Sequence, residues 1–342
     1  MFEIVAKELG DIPMTLEELK ERTSNTILEL YQAYADYEAI MPLTDEIVAA
    51  AAAFGLAASG SALGAVASDR KVQPIDTKGP SALKLSSQIG IIPGKSIEEK
   101  LALMDAMGFD GVELGGDIVG NEQKYRDALA NAKVKVSAVC WGSHGGDLVS
   151  ADPEKRKGGV AALKRVLESA GELKSTGVIF VPAFNGQTTL ANQDIRKVLL
   201  DSLPDIGAHA LRCGTRVILE PLNRGEAFFL RQLADAASIC RDVKSDGVAM
   251  MGDFYHMGIE ETSDLGAFIS AGSYLHHVHL ATTEGRVLPG QDGGKRSYVD
   301  GFRGLKIIGY QDYCSFECGV RGDRQTEIPK ALQFLKDHWA QA

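Results

Sequence analysis

From residue 83 onward, short apolar runs alternate with longer stretches of mixed character. The apolar runs fall at 85–92, 111–114, 134–140, 177–182, 216–219, 248–252, 274–278 and 313–316. Their richness in Val, Ile and Phe, and their brevity, predict strands buried on both faces. Between and after them, helical spacing predicts helices near 96–107, 121–132, 152–174, 191–213, 228–244, 262–272, 298–308 and 325–338. Start signals agree with several of these. Ser96-Ile97-Glu98-Glu99 is a capping pattern, and Asp152-Pro153 puts an acid at the cap and proline at the first helical position. Eight strand–helix units between residues 83 and 342 have the repeat and size of a (β/α)8 TIM barrel in the α/β class. A doubly wound open sheet is the second choice.

The first 82 residues break the pattern. Residues 1–47 predict a polar helical extension: Thr15-Leu16-Glu17-Glu18 is a capping box, with apolar positions near helical spacing behind it. Residues 48–68 then run without a charge and are rich in Ala and Gly. Ala65-Val66-Ala67 inside that run is similar to an export cleavage site, but Asp45 and Glu46 stand where a signal carries Lys or Arg. Residues 48–82 therefore read as an apolar segment and linker ahead of a catalytic domain at 83–342. Localisation is expected to be cytoplasmic, with export through the signal-like stretch 48–67 as the alternative.

Composition narrows the function. With 45% apolar and 24% charged residues the chain has the balance of a soluble globular protein, and its net charge of −10 argues against nucleic acid as a partner. No membrane partner is expected, and a homo-oligomer is left open. The five cysteines, Cys140, Cys213, Cys240, Cys314 and Cys318, have no zinc-knuckle or CxxC spacing and read as free thiols.

The chemistry lies where four consecutive apolar runs end. Arg216-Val217-Ile218-Leu219 is followed by Glu220, Met250-Met251-Gly252 by Asp253, His277-Val278 by His279, and Cys314-Ser315-Phe316 by Glu317. Singly, each is an ordinary cap, surface acid or core histidine. At equivalent places in four successive units of a closed barrel they converge, and make a divalent-metal site. Three carboxylates and one imidazole without thiolate suit Mn²⁺, Mg²⁺ or Co²⁺, with Mn²⁺ preferred. His277 shares the inward face with His279 and reads as a supporting or packing residue beneath it. His276 points to the helices, His144 is a candidate pocket-lining loop residue, and His209 and His338 lie on helices.

The stretches Glu220-Pro221-Leu222-Asn223-Arg224-x-Glu226 and Asp253-Phe254-Tyr255-His256-Met257-x-Ile259-Glu260-Glu261 resemble the ketose 3-epimerases. So do His277-Val278-His279 with Arg286 beyond it, and Phe316-Glu317. These tagatose/psicose 3-epimerases belong to the xylose-isomerase-like barrels. The resemblance covers roughly residues 84–340 and is specific in the second half. It implies that Glu220, Asp253, His279 and Glu317 bind the metal, that Glu220 and Glu317 double as acid and base, and that Glu226, His256 and Arg286 hold the substrate. The N-terminal 80 residues and the loops after the first three strands have no clear counterpart.

The expected reaction is proton abstraction beside a ketose carbonyl through an enediolate, with inversion at C3 when glutamates act on opposite faces. A metal-dependent lyase or dehydratase acting on an oxidised sugar, inosose or glycoside is the alternative. A multi-zinc endonuclease would need more histidines than the seven present, and a sugar-binding protein has no need of two ligating glutamates. Arg286, Lys295, Arg296 and Arg321 leave a phosphorylated substrate open.

Overall fold

The computed structural model describes residues 80–342. The expectations for residues 1–47, and for 48–79 of the following segment, lie outside the described residues. Eight parallel strands run in the order β1-β8-β7-β6-β5-β4-β3-β2. They are β1 Lys84–Ser87, β2 Gly111–Gly115, β3 Lys135–Gly142, β4 Val178–Phe180, β5 Val217–Leu219, β6 Val248–Asp253, β7 Leu275–Leu280 and β8 Tyr313–Phe316. A parallel bridge between Gln88 and Glu113 joins the two ends of that order, reinforced by the Ile89 amide donating to the Glu113 carbonyl at 2.9 Å. The sheet is thus the expected TIM barrel, with its seam between β1 and β2.

The helices follow as α1 Ile97–Met107, α2 Glu122–Leu129, α3 Pro153–Glu172, α4 Asn192–Cys213 and α5 Leu233–Val243, then α6 Phe254–Glu260, α7 Asp264–Ala271, α8 Val299–Ile307 and α9 Arg324–Gln341. Their starts are chemically determined. Ser96 Oγ accepts from the Glu99 amide, Asp152 from Glu154 with Pro153 next to it, and Asp323 from Thr326. Two sequence expectations shift. The first strand ends at Ser87, because the Ile91 amide turns back onto the Gln88 carbonyl at 3.0 Å. The short helix α6 starts directly at the end of β6, since Asp253 Oδ1 accepts from the Tyr255 amide at 2.8 Å and caps it.

Most of the core lies between the strands and the surrounding helices, with Phe180, Phe254, Phe268 and Phe302 among its largest fully buried side chains. Phe254 packs on Tyr298, ring centroids 4.8 Å apart, and on Phe268 at 5.4 Å, which fixes α6 against α7 and the chain entering α8. Inside the barrel a separate small cluster forms from Ala138, Ile179, Ile218, Ala249 and Met251. Gly258 lets α6 approach the loop after β7, since a Cβ there would lie 2.1 Å from Thr283 Oγ1. That loop carries Arg286. Among the described residues, no helix is long and apolar enough to cross a membrane.

Candidate active site

Each of the four expected ligands stands at the C-terminal end of its strand. Glu220 and Glu317 follow β5 and β8 directly, Asp253 closes β6 and His279 is next to last in β7. One ligand atom from each lies within 4.8 Å of the other three. Asp253 and His279 are fully buried, and Glu220 nearly so. Crowding three carboxylates around one point, two of them buried and Glu317 partly so, is costly unless something positive balances them.

The hydrogen bonds show which atoms are left to face that point. Asp253 spends Oδ1 on the Tyr255 amide and turns Oδ2 inward, 3.1 Å from Arg286 Nη2 and 3.4 Å from His256 Nε2. Glu317 spends Oε1 on Gln88 Nε2 at 2.9 Å and turns Oε2 to Arg286 and to His279 Nδ1. His279 spends Nε2 on Glu113 Oε2 at 2.9 Å. Its Nδ1 lies 2.9 Å from Glu317 Oε2 and 3.6 Å from Glu220 Oε1, and that Glu220 oxygen is buried without a hydrogen-bond partner. A buried orphan oxygen among crowded carboxylates is what a bound cation satisfies, and hard oxygen donors with one imidazole suit Mn²⁺ or a similar divalent ion. The residues present fit such an ion.

Electrostatics divide the acids. Burial pushes the Glu220 carboxyl up to about 7, with the charges of Glu317 and Asp253 adding to it. Burial, with Glu317 beside it, raises Asp253 to about 6. Burial works the same way on Glu317, but His279 and Arg286 outweigh it and hold that carboxyl down to about 2. The two glutamates are therefore unequal before any ligand arrives.

The three expected substrate-binding residues ring the same point. His256 Nδ1 accepts from both the amide of Asn223 at 3.1 Å and its Nδ2 at 2.8 Å. The Asn223 side-chain oxygen is taken by the Gly225 amide, which fixes the orientation of the side-chain amide. Burial lowers His256 to about 3, with the Arg286 charge adding to it, so the ring is neutral and its remaining proton sits on Nε2. Glu226 Oε1 accepts from Asn223 Nδ2 at 3.0 Å and lies 3.9 Å from Arg286 Nη1. Arg286, in a left-handed backbone conformation with φ of 45°, lays its guanidinium over the Tyr255 ring at 4.6 Å. Arg224 clips the β5 loop to α6: its amide and Nε donate to Glu260 Oε1 at 2.6 and 2.7 Å.

Two residues escaped the sequence reading. Glu113, on β2, is fully buried and bonded to His277, His279 and Gln88. Gln88, just past β1, donates to Glu113 and Glu317 at 2.9 Å each. The available signal was an acid between Val112 and Leu114 in an apolar strand. His277 takes its expected place beneath His279, His276 pairs outside with Asp312 at 2.8 Å, and His144 stacks on Trp141 with ring centroids 5.1 Å apart.

Residues 101–338 match the model of the xylose isomerase-like TIM barrel family. The chain is 32% identical over 253 residues to 3-dehydro-D-guloside 4-epimerase of Escherichia coli, covering 70% of this chain and 94% of that one. It is 30% identical over 179 residues to D-psicose 3-epimerase of Ruminiclostridium cellulolyticum, 51% of this chain and 60% of that one. Among solved structures, an Escherichia coli 3-keto-D-glucoside 4-epimerase superimposes with a TM-score of 0.68 at 30% identity, over 75% of this chain and all of that one.

Proposed function

Since the chain belongs to the xylose isomerase-like TIM barrel family and is an enzyme of the epimerase and isomerase class, we propose that it inverts a hydroxyl-bearing carbon next to the ketone of an unphosphorylated sugar. Glu220, Asp253, His279 and Glu317 would hold a divalent cation, Mn²⁺ in this reading. The observation that carries the proposal is the convergence of buried His279 Nδ1 and the unpartnered Glu220 Oε1 with the inward oxygens of Asp253 and Glu317. When bound, such an ion polarises the ketone and stabilises negative charge developing on its oxygen.

The protein's own groups carry the proton. Glu317, held ionised, accepts it from the carbon beside the ketone, and the C–H electron pair passes into an enediolate. Glu220, from across the site, returns a proton to the opposite face, and exchange with solvent resets the pair. Neutral His256 donates Nε2–H to the developing oxyanion and cannot act as a base at neutral pH. Arg286 adds positive charge beside it, and Glu226 holds a neighbouring hydroxyl.

The same step serves C3 of a 2-ketose and C4 of a 3-oxo-glycoside, each being the hydroxylated carbon adjacent to the ketone. Similarity spanning 94% of the 3-dehydro-D-guloside 4-epimerase favours the 3-oxo-glycoside. The Glu220–Glu226 and Asp253–Glu261 stretches support the ketose as second substrate. Phosphate is disfavoured because the candidate cations are engaged internally. Lys295 pairs with Glu284 at 2.8 Å, Arg296 with Asp264 at 2.9 Å, and Arg321 donates to the Gln291 carbonyl at 3.1 Å. The test is incubation with Mn²⁺ and 3-oxo-glycosides or ketoses in deuterated water. The expected product carries deuterium at the inverted carbon. An unsaturated or cleaved product would transfer the case to a lyase.

A further inference from the structure

An imidazole can offer Nδ1 to a cation only if its proton sits on Nε2. In His279 that proton has one evident acceptor, Glu113 Oε2 at 2.9 Å, and the same oxygen lies 2.9 Å from Nε2 of His277. Both rings and the carboxylate are fully buried, and the rings stand edge to face with centroids 5.1 Å apart. One oxygen thus pins two imidazoles. The other oxygen accepts from Gln88 Nε2, and the second hydrogen of that amide goes to Glu317 Oε1, both at 2.9 Å. Gln88 and Glu113 are also the two residues whose backbone bridge closes the barrel. Closing the seam therefore places the support under the site.

We infer that Glu113 is a positioning residue that fixes His279 with Nε2–H inward and Nδ1 toward the cation, and that Gln88 carries the same constraint to Glu317. Glu113 touches no substrate: it is 1% exposed and lies on the far side of His279 from the ligand cluster. The inference rests on the metal reading above. Gln88 gives the carboxylate a particular role. In a Glu113→Gln variant whose amide oxygen still accepts from both histidines, the new NH2 would face the NH2 of Gln88, and one bond must be given up.

The experiment is calorimetric titration of Mn²⁺ into wild-type protein, Glu113→Gln and Gln88→Met, each checked for folding by circular dichroism. Proton NMR of the ¹⁵N-histidine-labelled wild type accompanies it. We expect Glu113→Gln to bind Mn²⁺ about 10–100-fold more weakly. Gln88→Met keeps the His279 contact but frees Glu317, so its affinity should fall less than that of Glu113→Gln while kcat falls and KM holds; an unchanged kcat overturns the role of Gln88. The wild type should show two slowly exchanging Nε2–H signals. Wild-type affinity in Glu113→Gln, or the absence of those signals, overturns the positioning role alone. A wild type that does not bind Mn²⁺ overturns the metal reading beneath it.

Discussion

The two walls of the barrel interior are built on opposite plans. Along β3 to β6 the inward side chains Ala138, Ile179, Ile218, Ala249 and Met251 touch one another and need no partners. Around β7, β8, β1 and β2 the inward groups are polar: His277, His279, Ser315, Ser86, Glu113 and, at the seam, Gln88. Ser86 reaches across to Ser137 at 2.7 Å. The difference lies in where ligands find support. Asp253 on the apolar side is oriented from above, by the α6 amide it caps, and His256 over it is set by Asn223 in the β5 loop. His279 and Glu317 on the polar side are oriented from below, by Glu113 and Gln88. A dry wall confers stability and leaves orientation to loops, whereas a hydrogen-bonded wall orients at the cost of needing every partner present.

The widest separation between the walls should come from Glu317→Gln, whose amide oxygen can still ligate but cannot move protons. Turnover should fall on the order of 10²–10⁴-fold while most Mn²⁺ affinity survives; steady-state kinetics beside calorimetry checks it, and near-normal kcat would remove Glu317 from the chemistry. On the apolar wall the loss should be stability alone. Ile179→Ala should cost about 2–5 kcal/mol in chemical denaturation, with Mn²⁺ affinity unchanged in protein that remains folded. A large drop in affinity there would mean that the walls are not independent.

Acidification sharpens the contrast further. Asp253 is raised to about 6, and His279, despite its burial, is held well above the usual imidazole range by Glu113 and Glu317, so acid leaves protons that the cation must displace. Mn²⁺ affinity should weaken steadily as pH falls from 8 toward 5, by about tenfold per unit for each proton released. Proton release measured in buffers of different ionisation enthalpy reports it; an affinity flat from pH 5 to 8 would contradict it. The smallest effect is expected from Asn223→Ala. The backbone amide still donates to His256 Nδ1, so kcat/KM should drop by about tenfold or less. A loss as large as that of Glu317→Gln would give Asn223 a direct part.

Much of this was legible in the chain. The strand–helix alternation and the convergence of Glu220, Asp253, His279 and Glu317 could be read because apolar runs closing in an acid or histidine leave a pattern in one dimension. Glu226, His256 and Arg286 came only through resemblance, since loop residues converge by folding. Glu113 went unread: a lone acid among apolar neighbours does not announce a partner such as His279, 166 positions away. The apolar run to residue 92 puts Gln88 inside a strand, yet its position past the end of β1 is what lets it bridge two carboxylates. The short helix α6 is hidden in the sequence because its cap, Asp253, closes an apolar run and so resembles a ligand.

His279 belongs to two clusters of metal-binding type, one through Nδ1 with Glu220, Asp253 and Glu317, the other through Nε2 with Glu113 and His277. Anomalous diffraction from crystals grown with Mn²⁺ distinguishes them in one measurement. A single manganese peak is expected within about 2.0–2.3 Å of His279 Nδ1 and oxygens of the three carboxylates, with Glu113 still accepting from Nε2. A peak between His277, His279 Nε2 and Glu113, or none near His279, would contradict it.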